Sequence, residues 1–77
     1  MEMNMETRDM VRMANQISDF FKSYGEDDAK KEIALHINSF WEPRMRTMFF
    51  AHVDAGGEGL NPLVKAAASN IKRPKAA

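Results

Sequence analysis

The sequence predicts an all-α protein: a small bundle of three to four short helices with no sheet. Three observations carry this. Apolar residues recur in steps of three and four along most of the chain, and nowhere with the alternation of a half-buried strand. Gly25, Pro43 and Gly56-Gly57 cut that pattern into helix-length pieces. The chain has 77 residues and no cysteine, so it forms one small domain without disulfides, and packing between helices must supply its stability.

The first helix is expected over Thr7–Tyr24. Met10, Met13, Ala14, Ile17, Phe20, Phe21 and Tyr24 form its apolar stripe, and Arg8, Arg12, Gln16, Asp19 and Lys22 face water. Asn4 or Thr7 suits the N-cap, and Gly25 suits a left-handed C-terminal stop. The second helix runs from about Ala29 to Phe40 or Trp41, with Asp27 or Asp28 as N-cap and a stripe of Ala29, Ile33, Ile37, Phe40 and Trp41. Pro43 ends it and opens a third helix reaching about Asp54, with Met45, Met48, Phe49 and His52 on one side. Asn61-Pro62 is a start signal for a short fourth helix carrying Leu63, Val64, Ala67 and Ile71. The expected organisation is a flexible N-terminus (1–6), a helical domain (7–71) and a flexible basic tail (72–77). The expected core is Met10, Met13, Ile17, Phe20, Phe21, Ile33, Ile37, Phe40, Met45, Met48 and Phe49. Truncation of Phe20 or Ile37 to alanine is therefore expected to unfold the domain.

Charge narrows the functional classes. Eleven Lys and Arg balance eleven Asp and Glu, which argues against a nucleic-acid-coating protein. The balance hides an asymmetry, with net −3 over residues 1–32 and +3 over residues 33–77. No apolar stretch approaches the ~20 residues of a membrane span, and the first residues lack the features of a secretory signal. A cytoplasmic protein is expected. His36 and His52 lie on different helices without a third ligand, so no metal site is expected. Gly56-Gly57-Glu58-Gly59 follows a helix and lacks the Lys-Ser/Thr of a phosphate loop, so it reads as a connection. No nucleophile accompanies either histidine, and catalysis by this chain alone is not expected.

The residues that point outward suggest a partner. Leu35 lies opposite Ile33 and Ile37, and Phe50 lies off the Met45–Met48–Phe49 stripe. Trp41-Glu42-Pro43-Arg44-Met45-Arg46 joins an aromatic residue to two arginines at a stiff junction, and Trp and Arg are favoured at interface hot spots. Trp41, Arg44, Arg46, Phe50 and Leu35 are the candidate partner-binding residues. The alternative places Trp41 in the core and pairs the arginines with acids of the first half. The seven methionines suit adaptable packing.

Several blocks then carry a resemblance. Met13-Ala14-Asn15-Gln16-Ile17, Phe20-Phe21, Ile33-Ala34, His36-Ile37, Phe40-Trp41-Glu42-Pro43-Arg44-Met45-Arg46, Ala51-His52-Val53-Asp54, Gly57-Glu58-Gly59-Leu60 and Pro62-Leu63-Val64 occur in an order that resembles the delta subunits of soluble, NAD-dependent, molybdenum-containing formate dehydrogenases. The resemblance covers about residues 11–67. It implies a non-catalytic accessory subunit of a bacterial enzyme complex that oxidises formate to carbon dioxide. In that complex the alpha subunit holds the molybdenum cofactor and iron–sulfur clusters. The beta subunit carries FMN and the NAD site, and the gamma subunit carries another iron–sulfur cluster. The implied partner is the alpha subunit, with beta and gamma in the same assembly, and no cofactor, nucleic acid or membrane is expected for this chain. The implied work is assembly or stabilisation of the large subunit. The alternatives are a transient maturation factor for molybdenum-cofactor insertion and a free-standing helical interaction module.

Overall fold

The four expected helices are present in a computed structural model that describes residues 6–74. They are α1 (Thr7–Phe21, extended by a 3-10 turn at Lys22–Tyr24), α2 (Glu26–Phe40), α3 (Pro43–Asp54) and α4 (Pro62–Ala67, extended by a 3-10 turn at Ala68–Asn70). There is no strand among the described residues. Helix α2 packs on α1 and α4, and α1 also packs on α3. The bundle measures 40 × 23 × 23 Å. Asn4, most of the expected flexible N-terminus, and Lys75 to Ala77 of the expected flexible tail lie outside the described residues.

The helix starts differ from expectation in two places. Glu6, rather than Asn4 or Thr7, caps α1, and its N–H donates to Asp9 Oδ2 at 3.4 Å. Helix α2 begins at Glu26 with Gly25 as its N-cap, so Glu26, Asp27 and Asp28 all lie inside the first turn, beside the positive end of the helix. Gly25 does both jobs at this corner. Its φ of 90° with ψ of 154° is available only to glycine, and its carbonyl accepts the Ala29 N–H at 2.8 Å. Pro43 and Pro62 occupy the first positions of α3 and α4, where a missing N–H costs nothing.

Phe49, Met10, Ile33, Ile37 and Val64 are the largest fully buried side chains. Trp41 and Phe50 meet Phe49 edge-to-face, at centroid distances of 6.2 and 5.2 Å. Alanines 14, 29 and 67 are completely buried and Ala34 nearly so; a methyl side chain in these places lets helix backbones come close. Met13, Ile17, Phe21, Met45 and Met48 are half-buried against this core.

Two expected core residues are on the surface. Phe20 is 69% exposed and Phe40 is 73% exposed. The face of α1 that is actually buried runs through Met10, Ala14 and Ser18, and at 100° per residue Phe20 lies about 120° from its centre. Phe40 has core spacing but is the last residue of α2, and its ring lies on His36 at 4.8 Å. Trp41 takes the core position instead, its extended backbone (φ −85°, ψ 130°) leading out of the helix. Phe50 is corrected in the other direction. It is 5% exposed because the C-terminal segment returns across α3 and sets the Arg73 guanidinium 4.3 Å from its ring.

A candidate docking surface on α1 and α2

The exposed large apolar side chains gather on one side. Phe20, Tyr24, Leu35 and Phe40 are each more than half exposed. Phe21 links the first pair: its ring is 4.9 Å from Phe20 and 5.3 Å from Tyr24, edge-to-face in both cases. His36 continues the row, 6.5 Å from Phe21 and 4.8 Å from Phe40. The result is one aromatic chain across the α1–α2 seam.

Two hollows open along this chain. The larger, of about 390 Å³, is lined by Met13, Gln16, Ile17, Phe20, Phe21, His36 and Trp41. The second, of about 280 Å³, is lined by Phe21, Glu32, Leu35, His36, Ser39 and Phe40. Phe21 and His36 belong to both and form the wall between them. The walls are mostly apolar, with Gln16, Glu32, His36 and Ser39 as their polar members.

The structure distributes the five expected partner-binding residues over different environments. Leu35 is 59% exposed and lines the second hollow. Trp41 is buried in the core with one side on the larger hollow, so it serves packing first. Phe50 lies under Arg73, away from solvent. Arg46 is half-buried and donates from Nη1 to the Lys72 carbonyl at 2.8 Å. Its Nε is buried without a partner. Arg44 is exposed and makes no ion pair among the described residues. Arg44 and Arg46 thus diverge, as their spacing requires. The surface aromatics Phe20, Tyr24 and Phe40 were not among the expected contact residues. Only the helix-end position of Phe40 and the edge position of Phe20 in its stripe hinted at exposure.

Elsewhere the bundle is held by polar contacts. Asn15 Nδ2 donates to the Gly59 carbonyl at 2.9 Å, and Asn15 Oδ1 accepts the Asn61 N–H at 2.8 Å. This ties α1 to the loop before α4. Asn38 does the same for the C-terminal segment, donating to the Asn70 carbonyl at 3.1 Å and accepting the Lys72 N–H at 2.9 Å. His52 Nε2 is 2.6 Å from the Glu58 carbonyl. Both nitrogens of the Arg73 fork reach Asp54, at 2.9 and 3.2 Å. That hydrogen-bonded pairing, reinforced by charge attraction and opposed by partial desolvation, holds the Asp54 carboxyl below its usual range and raises Arg73.

Residues 9–68 match the family described as NADH-dependent formate dehydrogenase delta subunit FdsD. That match spans most of the chain. The protein belongs to this delta-subunit family. No curated protein and no solved structure matches the chain. Membership in a delta-subunit family implies other subunits as partners, and the aromatic row gathers exposed large apolar side chains of the described residues on one face.

The delta-subunit blocks acquire physical roles in the fold. In Met13-Ala14-Asn15-Gln16-Ile17, Ala14 is buried, Asn15 clamps the loop before α4, and Met13, Gln16 and Ile17 line the larger hollow. In Phe40-Trp41-Glu42-Pro43-Arg44-Met45-Arg46, Trp41 fills the core, Pro43 starts α3 and Arg46 fastens the C-terminal segment. Among the described residues no three His, Asp or Glu side chains converge as metal ligands. No helix there is long and apolar enough to cross a membrane.

Proposed function

We propose that this chain is a non-catalytic delta subunit of an NAD-dependent formate dehydrogenase, and that it stabilises the large alpha subunit by docking its aromatic face on it. The observation that carries the reading is the row Phe20, Phe21, Tyr24, His36 and Phe40 with Leu35 beside it, exposed on a chain of the delta-subunit family. A small protein that leaves such a patch open gains by covering it. Trp41 lines the larger hollow, and the exposed Arg44, without an ion pair among the described residues, is available to a carboxylate of the partner.

On this reading the redox chemistry belongs to the complex: a molybdenum cofactor and iron–sulfur clusters in alpha, FMN and the NAD site in beta, and a further cluster in gamma. The delta chain contributes no cofactor ligand and works in the cytoplasm of a bacterium as a lasting component of the assembly. The test is to purify active formate dehydrogenase through a tag on alpha and quantify the delta chain. One copy per alpha subunit is expected. Active, stable enzyme without the delta chain would instead identify a maturation factor that leaves after cofactor insertion.

A further inference from the structure

The chemistry of the two hollows specifies what fills them. They lie side by side with Phe21 and His36 as their common wall, so an occupant needs two apolar anchors in a row. Every wall is a side chain of α1, of α2, or of Trp41 at the end of α2. The backbone groups within those helices are already paired, and no sheet edge is present among the described residues to receive an extended peptide. A strand or loop buried here would leave its own N–H and C=O groups unpaired, whereas a helix brings them satisfied.

Charge supplies the second constraint. Glu32 lines the second hollow, half-buried beside Phe21, Leu35 and Phe40. It makes no ion pair and no side-chain hydrogen bond among the described residues. No Lys or Arg lines either hollow. On the same two helices Lys22 lies 4.0 Å from Asp19 and Lys30 lies 3.8 Å from Asp27, and the exposed Lys31 lines neither hollow. Covering Glu32 with apolar groups alone would strand a charge, and a cation from the occupant removes that cost.

Area and symmetry choose between occupants. Phe20, Tyr24, Leu35 and Phe40, at 69, 53, 59 and 73% exposure, together offer roughly 500 Å² of largely apolar surface. That is the centre of a standard interface of about 800 Å² per partner. A second copy meeting the same face across a two-fold axis would bring only these same hollow linings, which hold no Lys or Arg to offer Glu32.

We infer that the α1–α2 seam receives an amphipathic helix of the partner subunit, bearing two large apolar side chains about one turn apart and a Lys or Arg set against Glu32. This rests on the docking reading above and specifies its occupant. The test uses the full chain, carrying a photoreactive leucine analogue at position 35, co-produced with the alpha, beta and gamma subunits. Cross-linked peptides are identified by mass spectrometry after purification through alpha. A helical peptide with apolar anchors three or four residues apart and a basic residue within one turn is expected. In parallel, Glu32→Lys is expected to weaken retention in the complex by about 10-fold or more, with the helix content of the chain unchanged, and Glu32→Gln by less, with a flatter salt dependence.

A cross-link to a second delta chain, to an extended segment, or to a helix without a basic residue overturns the inference. So does a delta chain retained at one copy per alpha with no cross-link at position 35, or one indifferent to Glu32→Lys. In each of those cases the subunit assignment survives. Absence of the chain from purified complex overturns both.

Discussion

The two sides of this bundle solve opposite problems. On the side of α3 and α4, Asn15, Asn38, Arg46 and Arg73 each hold backbone or side-chain groups from distant parts of the chain, and Phe50 is closed over. Along the α1–α2 seam, four large apolar side chains are each more than half exposed. A 77-residue domain without disulfides has little stability to spare, so leaving that much apolar area open is costly unless another surface takes it up. The closed side keeps the fold, and the open side is the proposed docking face.

Truncating side chains on each side gives the strongest contrast. Ile37→Ala and Phe49→Ala remove completely buried groups and are expected to cost about 2–5 kcal/mol, enough to abolish a cooperative thermal transition in so small a domain. Phe20→Ala and Phe40→Ala are expected to change the melt by less than about 1 kcal/mol, yet each to weaken assembly with the large subunit by about 1–3 kcal/mol. Melting the variants and measuring their retention on tagged alpha subunit separates the two effects. Collapse of the fold in Phe20→Ala would show that the seam is part of the core after all.

That contrast also shows what was legible beforehand. Helix number and order follow from local chemistry: Gly25, Pro43 and Pro62 act through their own backbones, whatever surrounds them. Ile33, Ile37 and Met10 were recognisable as core because they sit near the middle of their stripes, while Phe49, also expected in the core, lies at the edge of its own. Which edge of a stripe becomes buried depends on where the neighbouring helix lies, and that is a tertiary fact. Burial through Met10, Ala14 and Ser18 turned Phe20 outward, and the returning C-terminal segment turned Phe50 from a surface residue into a core one. Leu35 kept its expected exposure because it points away from Ile33 and Ile37 whichever neighbour covers them. Arg46 could not be separated from Arg44 by sequence, since the Lys72 carbonyl that engages it is 26 residues away.

A smaller effect probes the closed side. Asn15 fills both hydrogen-bonding roles at once, donating to the Gly59 carbonyl and accepting the N–H of Asn61 at the cap of α4. Asn15→Ala leaves both backbone groups without that partner and is expected to cost about 1–3 kcal/mol. Asn15→Asp retains the acceptor for the Asn61 N–H but sets a carboxylate against the Gly59 carbonyl, so it should also destabilise. Hydrogen exchange resolved by residue should show faster exchange at Asn61 and the start of α4 in Asn15→Ala, with the amides of α2 slowed or hastened only as global stability changes. An unchanged Asn61 amide would show that the loop before α4 is held by Leu60 burial alone.

The smallest expected effect belongs to Asp54 and Arg73, both exposed, where solvent screens most of the attraction. Asp54 is the last residue of α3, and a carboxylate at the negative end of a helix is unfavourable by itself. The Arg73 fork offsets this, and its hydrogen bonds hold the folded-state pKa of Asp54 below the ordinary value. A depressed carboxyl contributes stability that is fully present above its unfolded pKa and is lost as pH falls through the lower, folded one. The contribution should therefore be constant near neutral pH and fade below about pH 4. Asp54→Asn removes the titrating group but keeps a hydrogen-bond acceptor for Arg73, and the guanidinium can still lie over Phe50. The melting temperatures of the two proteins are expected to differ slightly at pH 7, with wild type higher, and the gap is expected to narrow by pH 3. A gap of equal size at both pH values would mean that shape rather than charge closes this end of the bundle.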